Sequence, residues 1–253
     1  MTLLEIVEAY YDAAPRPLSV TEEVGPFTLF VRSNPDGWPY YARPRLGGSG
    51  SFTSADVLAV TERQRELGQP QSLEWVHETT PDLREAAVAA GLTVQSCPLL
   101  VLDAASPRPS TRAPYGVLVR MLGADDPELA DTVGAVGAAF SDSDEWPSGS
   151  AGTWPRLLTE GLTRLAGAAD AAGTVGGGSH SPRGTATELT GIGVVPRARE
   201  RGIGAAITAV LIDDALGLGV ETVFLSAQDA AVARVYERVG FVRVATACIA
   251  SGH

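Results

Sequence analysis

Between an apolar run ending in Val194-Val195-Pro196 and a helix-like run from Ala205 to Leu216, the chain reads Arg199-Glu200-Arg201-Gly202-Ile203-Gly204. A strand that turns through glycines straight into a helix narrows the fold to one in which sheet and helix meet at a main-chain site. The first N–H groups of a helix have no partner within it, and the helix dipole places positive potential there. Glycine removes the Cβ that would keep a phosphate away. The segment reads as a pyrophosphate cradle; read in isolation it is also compatible with a tight turn that binds nothing.

The surroundings separate these readings. Strand-like Glu221-Thr222-Val223-Phe224-Leu225-Ser226 follows the helix, then Arg234-Val235-Tyr236-Glu237-Arg238-Val239-Gly240-Phe241. Val195-Pro196, Arg-x-x-Gly-x-Gly, this strand and the Tyr-x-x-x-Gly-Phe ending together resemble the acyl-CoA-binding half of the GNAT superfamily of N-acetyltransferases, over roughly residues 115 to 250.

The resemblance implies that the pantetheine arm of acetyl-CoA pairs with the main chain of Ile192, Gly193 and Val194, and that Arg199, Arg201, Gly202, Ile203, Gly204 and Ala205 cradle the pyrophosphate. It further implies a bulge that splays this strand from its neighbour, which sequence does not show. Tyr236 takes the place of the general acid that protonates the departing thiolate. Glu188, fourteen residues before Gly202, has the spacing of the base in the histone-acetyltransferase branch. His180 is the rival base, because imidazole titrates near neutrality. Asp229 stands where many members carry an asparagine that touches the pantetheine arm, and is also a good N-cap for the helix bearing Tyr236.

Two cysteines, Cys97 and Cys248, lie far apart in apolar runs, so neither a disulfide framework nor a metal cluster is expected. With 19 basic and 30 acidic residues the net charge is −11, which argues against nucleic acid or an anionic membrane as partner. Arg183, Arg197, Arg199 and Arg201 nevertheless gather positive charge near the cradle. No apolar run approaches the roughly 18 residues that span a bilayer, and a cytoplasmic location is expected.

The proline-bearing stretch 104–114 cannot continue a helix or a central strand and reads as a linker. Beyond it, Tyr115 to Leu122 alternates like a strand, Pro127 to Phe140 and Pro155 to Leu165 read as helices, and strands over Leu165 to Ala169, Thr174 to Ser179 and Glu188 to Val195 follow. The first half repeats the apolar pattern of the second. Setting Gly91-Leu92 against Gly240-Phe241 without a gap places Trp75 on Phe224 and Leu58 on Ile207. Thr53, Ala55, Asp56 and Ala87 then stand where Gly202, Gly204, Ala205 and Tyr236 stand. An aspartate in the first helical turn would repel a pyrophosphate. Gly47-Gly48-Ser49-Gly50 is the remaining candidate anion nest there, and reads more simply as a loop.

The expected architecture is therefore α/β (α+β): two GNAT-like domains in tandem, each a mixed, largely antiparallel twisted sheet flanked by helices. Residues 1–103 form a degenerate half and residues 115–253 the acetyl-CoA-binding one. Acetyl transfer from acetyl-CoA to a primary amine of a small molecule is expected, without metal, in a monomer or homodimer. A non-catalytic acyl-CoA-binding module and a protein or peptide acetyltransferase are the alternatives. The resemblance implies that Ser141-Asp142-Ser143-Asp144-Glu145-Trp146 lines the acceptor side, where its carboxylates would suit a cationic amine or form a solvated loop.

Overall fold

A computed structural model describes residues 1–34, 37–48, 50–103, 112–147 and 149–252. Most of the expected linker, residues 104–111, and Ser49 of the glycine-rich stretch lie outside the described residues. In chain order the elements are α1 (Leu3–Ala13), β1 (Ser19–Val24), β2 (Phe27–Arg32), β3 (Arg43–Pro44), α2 (Ser54–Glu66), β4 (Ser72–Val76), α3 (Leu83–Ala89) and β5 (Thr93–Leu102). They continue with β6 (Leu118–Leu122), α4 (Leu129–Phe140), α5 (Trp154–Thr159), β7 (Arg164–Asp170), β8 (Gly173–Arg183), β9 (Ala186–Val194), α6 (Ile203–Gly217), β10 (Thr222–Ser226), α7 (Ala230–Glu237) and β11 (Phe241–Ser251). Contacts gather these into two units: Met1–Leu99 with Ser226–Ala233 and Arg243–His253, and Leu100–Leu225 with Arg234–Val242. Neither is contiguous in sequence.

In the first unit, β1 and β2 form an antiparallel hairpin closed at Val24 and Phe27, and β2 pairs β3. β4 carries Leu73 and Trp75 into a core with Phe27, Leu29, Val57 and Leu83, and pairs antiparallel with β11, Ala247 opposite Val76. Of the unit's helices, α1 and α2 start with capping boxes. Thr2 and Glu5 open α1, and Thr53 and Asp56 open α2, each pair satisfying two otherwise unpartnered N–H groups.

In the second unit the strand order is β10-β9-β8-β7-β6, antiparallel except for β10 beside β9. α4 and α6 both pack on β8 and β9, from opposite faces, and the glycine run of β8 explains how close they come. A Cβ at Gly177 would lie 2.6 Å from Thr132 Cγ2 of α4, and one at Gly178 would lie 3.0 Å from Ile207 Cγ2 of α6. Leu122, Leu129, Leu158 and Leu165 close a smaller cluster at the other end of the sheet.

The expected helix Pro155 to Leu165 is shorter in the structure. Gly161, at φ 68°, turns the chain so that the Leu162 N–H returns to Leu157 O, and Arg164 already begins β7. The order α2-β4-α3-β5 is repeated by α6-β10-α7-β11, and the gapless register sets Ser54, the first residue of α2, on Ile203, the first of α6. This repeat and the largely antiparallel mixed sheets agree with the expected tandem α/β class.

Candidate functional site

The strand ahead of the cradle departs from regular pairing twice. Gly177 lies opposite Gly193 but Ser179 lies opposite Thr190, so β9 carries one residue more than β8, beside Gly191 at φ 61°. On its other edge β9 pairs with β10 at Ala186, Thr187 and Glu188; among the described residues no β9–β10 pair follows. The stretch Leu189–Val194, which contains Ile192, Gly193 and Val194, thus parts from β10 and leaves a main-chain edge without a ladder.

Pro196–Ala198 then makes one 3-10 turn, Glu200 takes φ 61° and Gly202 φ 80°, and α6 starts at Ile203. Gly202 at the N-cap has no side chain to offer. The first-turn N–H groups of Ile203, Gly204 and Ala205 therefore point out of the helix with the positive dipole end behind them. A Cβ at Gly202 would meet nothing within 4 Å, and one at Gly204 only Val194 Cγ2 at 4.0 Å, so the cradle is open to an anion. α2 is its counterexample. There the Asp56 carboxylate accepts from the Thr53 N–H at 2.9 Å and from the Thr53 hydroxyl at 2.6 Å, and the helix start is already occupied by a negative group.

The arginines around the cradle are committed to protein acceptors. Arg197 Nη2 donates to Thr174 O at 2.9 Å and Arg201 Nη1 to Asp170 at 3.0 Å; with the Ala172 N–H, Arg201 holds the Asp170 carboxyl below the usual carboxylate range. Arg199 donates from Nε to Val194 O (3.0 Å), from Nη1 to Asp142 (2.5 Å) and from Nη2 to Ala139 O (2.8 Å). Arg199 and Arg201 thus border the cradle with their main chain, while their guanidinium groups organise its surroundings.

Glu188 is half-buried at the fork, the last β9 residue paired on both sides, with Ser181 on β8 and Phe224 on β10. It shares a sheet face with Ser179 and Thr190, whose hydroxyls meet at 3.0 Å, the face on which α4 packs. His180 points the other way and is fully buried. Its Nδ1 lies 3.1 Å from Thr187 Oγ1 and its Nε2 2.9 Å from Asp214, which Arg164 also grips with two donors at 2.8 and 3.0 Å. Both ring nitrogens are engaged, so the imidazole has no nitrogen to turn toward a substrate.

Burial pushes the His180 imidazole below its ordinary value, outweighing the neighbouring Asp214 carboxylate, while Arg164 and His180 hold Asp214 low against its own burial. The unfolded chain therefore binds a proton at His180 more readily than the native one. This contribution to stability is complete above the ordinary histidine value of about 6.5 and falls as pH drops below it, by up to about 1.4 kcal/mol per pH unit until the native group titrates. Urea unfolding between pH 7.5 and 5.5 should show this loss in the wild type and a flatter dependence in His180→Gln. Equal slopes would remove His180 as its source.

Tyr236 is half-buried on α7, its ring set edge-on to Phe241 at 6.1 Å and 71°, and burial raises the phenol to about 12. Asp229 caps α7, accepting from the N–H groups of Ala231 and Val232 at 2.8 Å. The acidic segment after α4 is largely paired with the cradle side of the chain: Asp142 to Arg199, and Asp144 to the Arg197 N–H at 2.8 Å. Glu145 and Trp146 instead line an open groove of about 580 Å³ with Val133, Gly134, Gly137 and Ser141. Trp146 packs against α4 at Gly134, where a Cβ would lie 2.4 Å from its Cδ1. Among the described residues no group of three or more His, Cys, Asp or Glu is placed to hold a metal ion, and no helix is long and apolar enough to cross a membrane.

Sequence reasoning missed Asp214 and Arg164, which fix His180, and expected the bulge only from the resemblance, without placing it at Gly191. The bulge had a signal in the Gly191-Ile192-Gly193 interruption of an apolar strand. The half-buried pair had none, because an Asp on a helix and an Arg on a strand are ordinary surface residues until the two elements are packed.

Residues 138–241 match the family model described as the acetyltransferase (GNAT) family. No curated protein matches the chain. Among solved structures, a GCN5-related N-acetyltransferase from Kribbella flavida is similar over 99% of this chain and 96% of its own, at 20% identity and a TM-score of 0.77. A GCN5-related N-acetyltransferase from Sphaerobacter thermophilus is similar over 76% of this chain and 63% of its own, at 18% identity and 0.57. A tandem GNAT protein from the clavulanic acid biosynthesis pathway is similar over 89% of this chain and 78% of its own, at 17% identity and 0.58. At these identities the likenesses show a shared fold. The bulged strand, its fork from β10 and the glycine-opened helix all fall inside the matched segment, and residues 138–241 are a domain of the GNAT acetyltransferase family.

Proposed function

We propose that the segment 115–253 binds acetyl-CoA and transfers its acetyl group to a primary amine of a small molecule by direct attack, and that 1–103 is a degenerate half without the nucleotide. The observation that carries this is the contrast between two helix starts at the same place in the repeat: α6 opens on glycines with its N–H groups free of side-chain caps, whereas α2 is closed by Asp56. The main-chain edge of Ile192, Gly193 and Val194 is available to the pantetheine arm because β9 has left β10, apart from Val194 O, which Arg199 Nε already holds. The same unpaired groups can polarise a thioester carbonyl.

Glu188 at the fork accepts the proton of the incoming amine, directly or through one water, and Tyr236 supports the departing sulfur. The engaged, fully buried His180 favours Glu188 as the base. Glu145 and Trp146 on the groove beside α4 suit a cationic amine by charge and by the indole face. Release of CoA thiol from acetyl-CoA with a panel of small amines tests the reading. With an accepted amine, Glu188→Gln should slow turnover about tenfold or more and remove the lower limb of the pH–rate profile. Acetyl-CoA binding without thiol release for any amine would leave a binding module; release with peptides alone would make this a peptide acetyltransferase.

A further inference from the structure

We infer that Arg199 is a positioning residue that carries occupancy of the cradle to the acceptor-side segment Ser141–Glu145. The inference rests on the reading that the cradle binds the pyrophosphate of CoA. A phosphate ligand would present its guanidinium to the cradle. Arg199 instead spends it on the end of β9 through Val194 O, on the end of α4 through Ala139 O and on the loop through Asp142. A planar fork with three donors aimed at three separate acceptors is a joint, and lysine cannot reproduce it.

The elements joined need one. α4 has no basic residue in its last turn, so Arg199 supplies the positive group that its terminal carbonyls would otherwise lack. Asp142 sits at φ 53°, the left-handed position at which α4 ends, with the Ser143 N–H returning to Ala138 O and the Asp142 N–H to Ala139 O, so its carboxylate leaves the helix end toward Arg199. A second tie runs alongside, from the Arg197 N–H to Asp144. The end of α4 also rests directly on the strand: a Cβ at Gly193 would lie 3.0 Å from Ala139 Cβ and 3.6 Å from the Phe140 ring. The strand edge, the cradle and the loop therefore meet at one side chain.

That joint is weak by itself. The Arg199 and Asp142 side chains are 42% and 79% exposed, and such pairs hold long side chains poorly in water. What strengthens it is anything that fixes the Arg199 main chain, which runs extended into Glu200 and Gly202 at positive φ. A ligand held by the N–H groups of this turn does so, and the entropy of ordering the loop is then already met in part. The coupling is reciprocal, so whatever orders the loop also tightens CoA.

Hydrogen exchange with CoA as the probe, with calorimetry of the same samples, decides the matter. In the wild type, saturating CoA should slow exchange in 141–145 at least threefold, together with the cradle amides 201–205. Asp142→Asn, which leaves the cradle untouched, should weaken CoA by no more than the factor by which CoA slows the wild-type loop and should still protect its cradle amides, while the loop no longer responds; Arg199→Lys should lose the loop response as well. The inference is overturned if CoA protects the cradle and leaves the wild-type loop unchanged or faster. It is equally overturned if Arg199→Lys weakens CoA tenfold while Asp142→Asn keeps the wild-type loop response, since Arg199 is then a phosphate ligand. Absence of CoA binding to the wild type has its own signature, no calorimetric heat and no cradle protection, and removes the functional reading along with this one.

Discussion

The Ala205→Asp variant should lose acetyl-CoA affinity by about a hundredfold or more while its thermal midpoint holds or rises. The substitution gives α6 the residue that α2 carries at the same place in the repeat. Asp56 there takes the Thr53 N–H and hydroxyl, and its charge lies at the positive end of the helix dipole. A carboxylate at the third helical position stabilises a helix by about 0.3–1 kcal/mol, so the fold is not at risk. The same charge beside a pyrophosphate is repulsive by roughly 4 kcal/mol at 4 Å and an effective dielectric of about 20. A hundredfold loss needs only about 2.7 kcal/mol, so repulsion decides the outcome. Calorimetry with acetyl-CoA and thermal unfolding of the same preparation give both numbers. Undiminished affinity in a folded variant would remove the cradle from the site, and two equivalent sites per wild-type chain would remove the degenerate reading of the first half.

Tyr236→Phe should lower the rate of acetyl transfer by about ten to a thousandfold and leave acetyl-CoA affinity within about twofold. The change deletes one hydroxyl and preserves the ring that lies edge-on to Phe241. With its value raised to about 12 by burial, the phenol keeps its proton near neutral pH, so in the proposed transfer it would aid the departing sulfur chiefly as a hydrogen-bond donor. It follows that Tyr236 contributes no upper limb to the pH–rate profile below about pH 10. Single-turnover measurements with acetyl-CoA and an accepted amine separate the chemical step from product release. If Tyr236→Phe and Glu188→Gln each leave that step within threefold of wild type, transfer rests on positioning and main-chain polarisation alone.

The local elements near the site were legible because each depends on a few neighbouring residues. Glycines and the following apolar run announced α6 from about Ala205 to Leu216, and the helix spans Ile203–Gly217. The apolar run ending at Val195 announced β9, and a proline-started periodic run announced α4. Asp229 was legible as a cap because capping is a contact two or three residues long. The aspartate that closes α2 was legible for the same reason.

The direction of long side chains was not legible. Arg199 and Arg201 stand in a cradle motif as if to bind phosphate, yet their guanidinium groups go to Val194, Ala139, Asp142 and Asp170, acceptors supplied by segments 5 to 60 residues away. His180 looked like a rival base until α6 and β7 placed Asp214 and Arg164 against it.

By itself, then, the sequence determined the strand-turn-helix that opens the cradle, the repeat that closes its counterpart, and the family of the second half, because periodicity, glycine and capping are properties of short stretches. The tertiary structure alone decided that β9 parts from β10 after Glu188, that His180 is sealed and Glu188 left at the fork, and that β11, from the end of the chain, pairs with β4 in the first unit. Those outcomes depend on which distant surfaces bury one another, and each strand or helix carries only its own half of that choice.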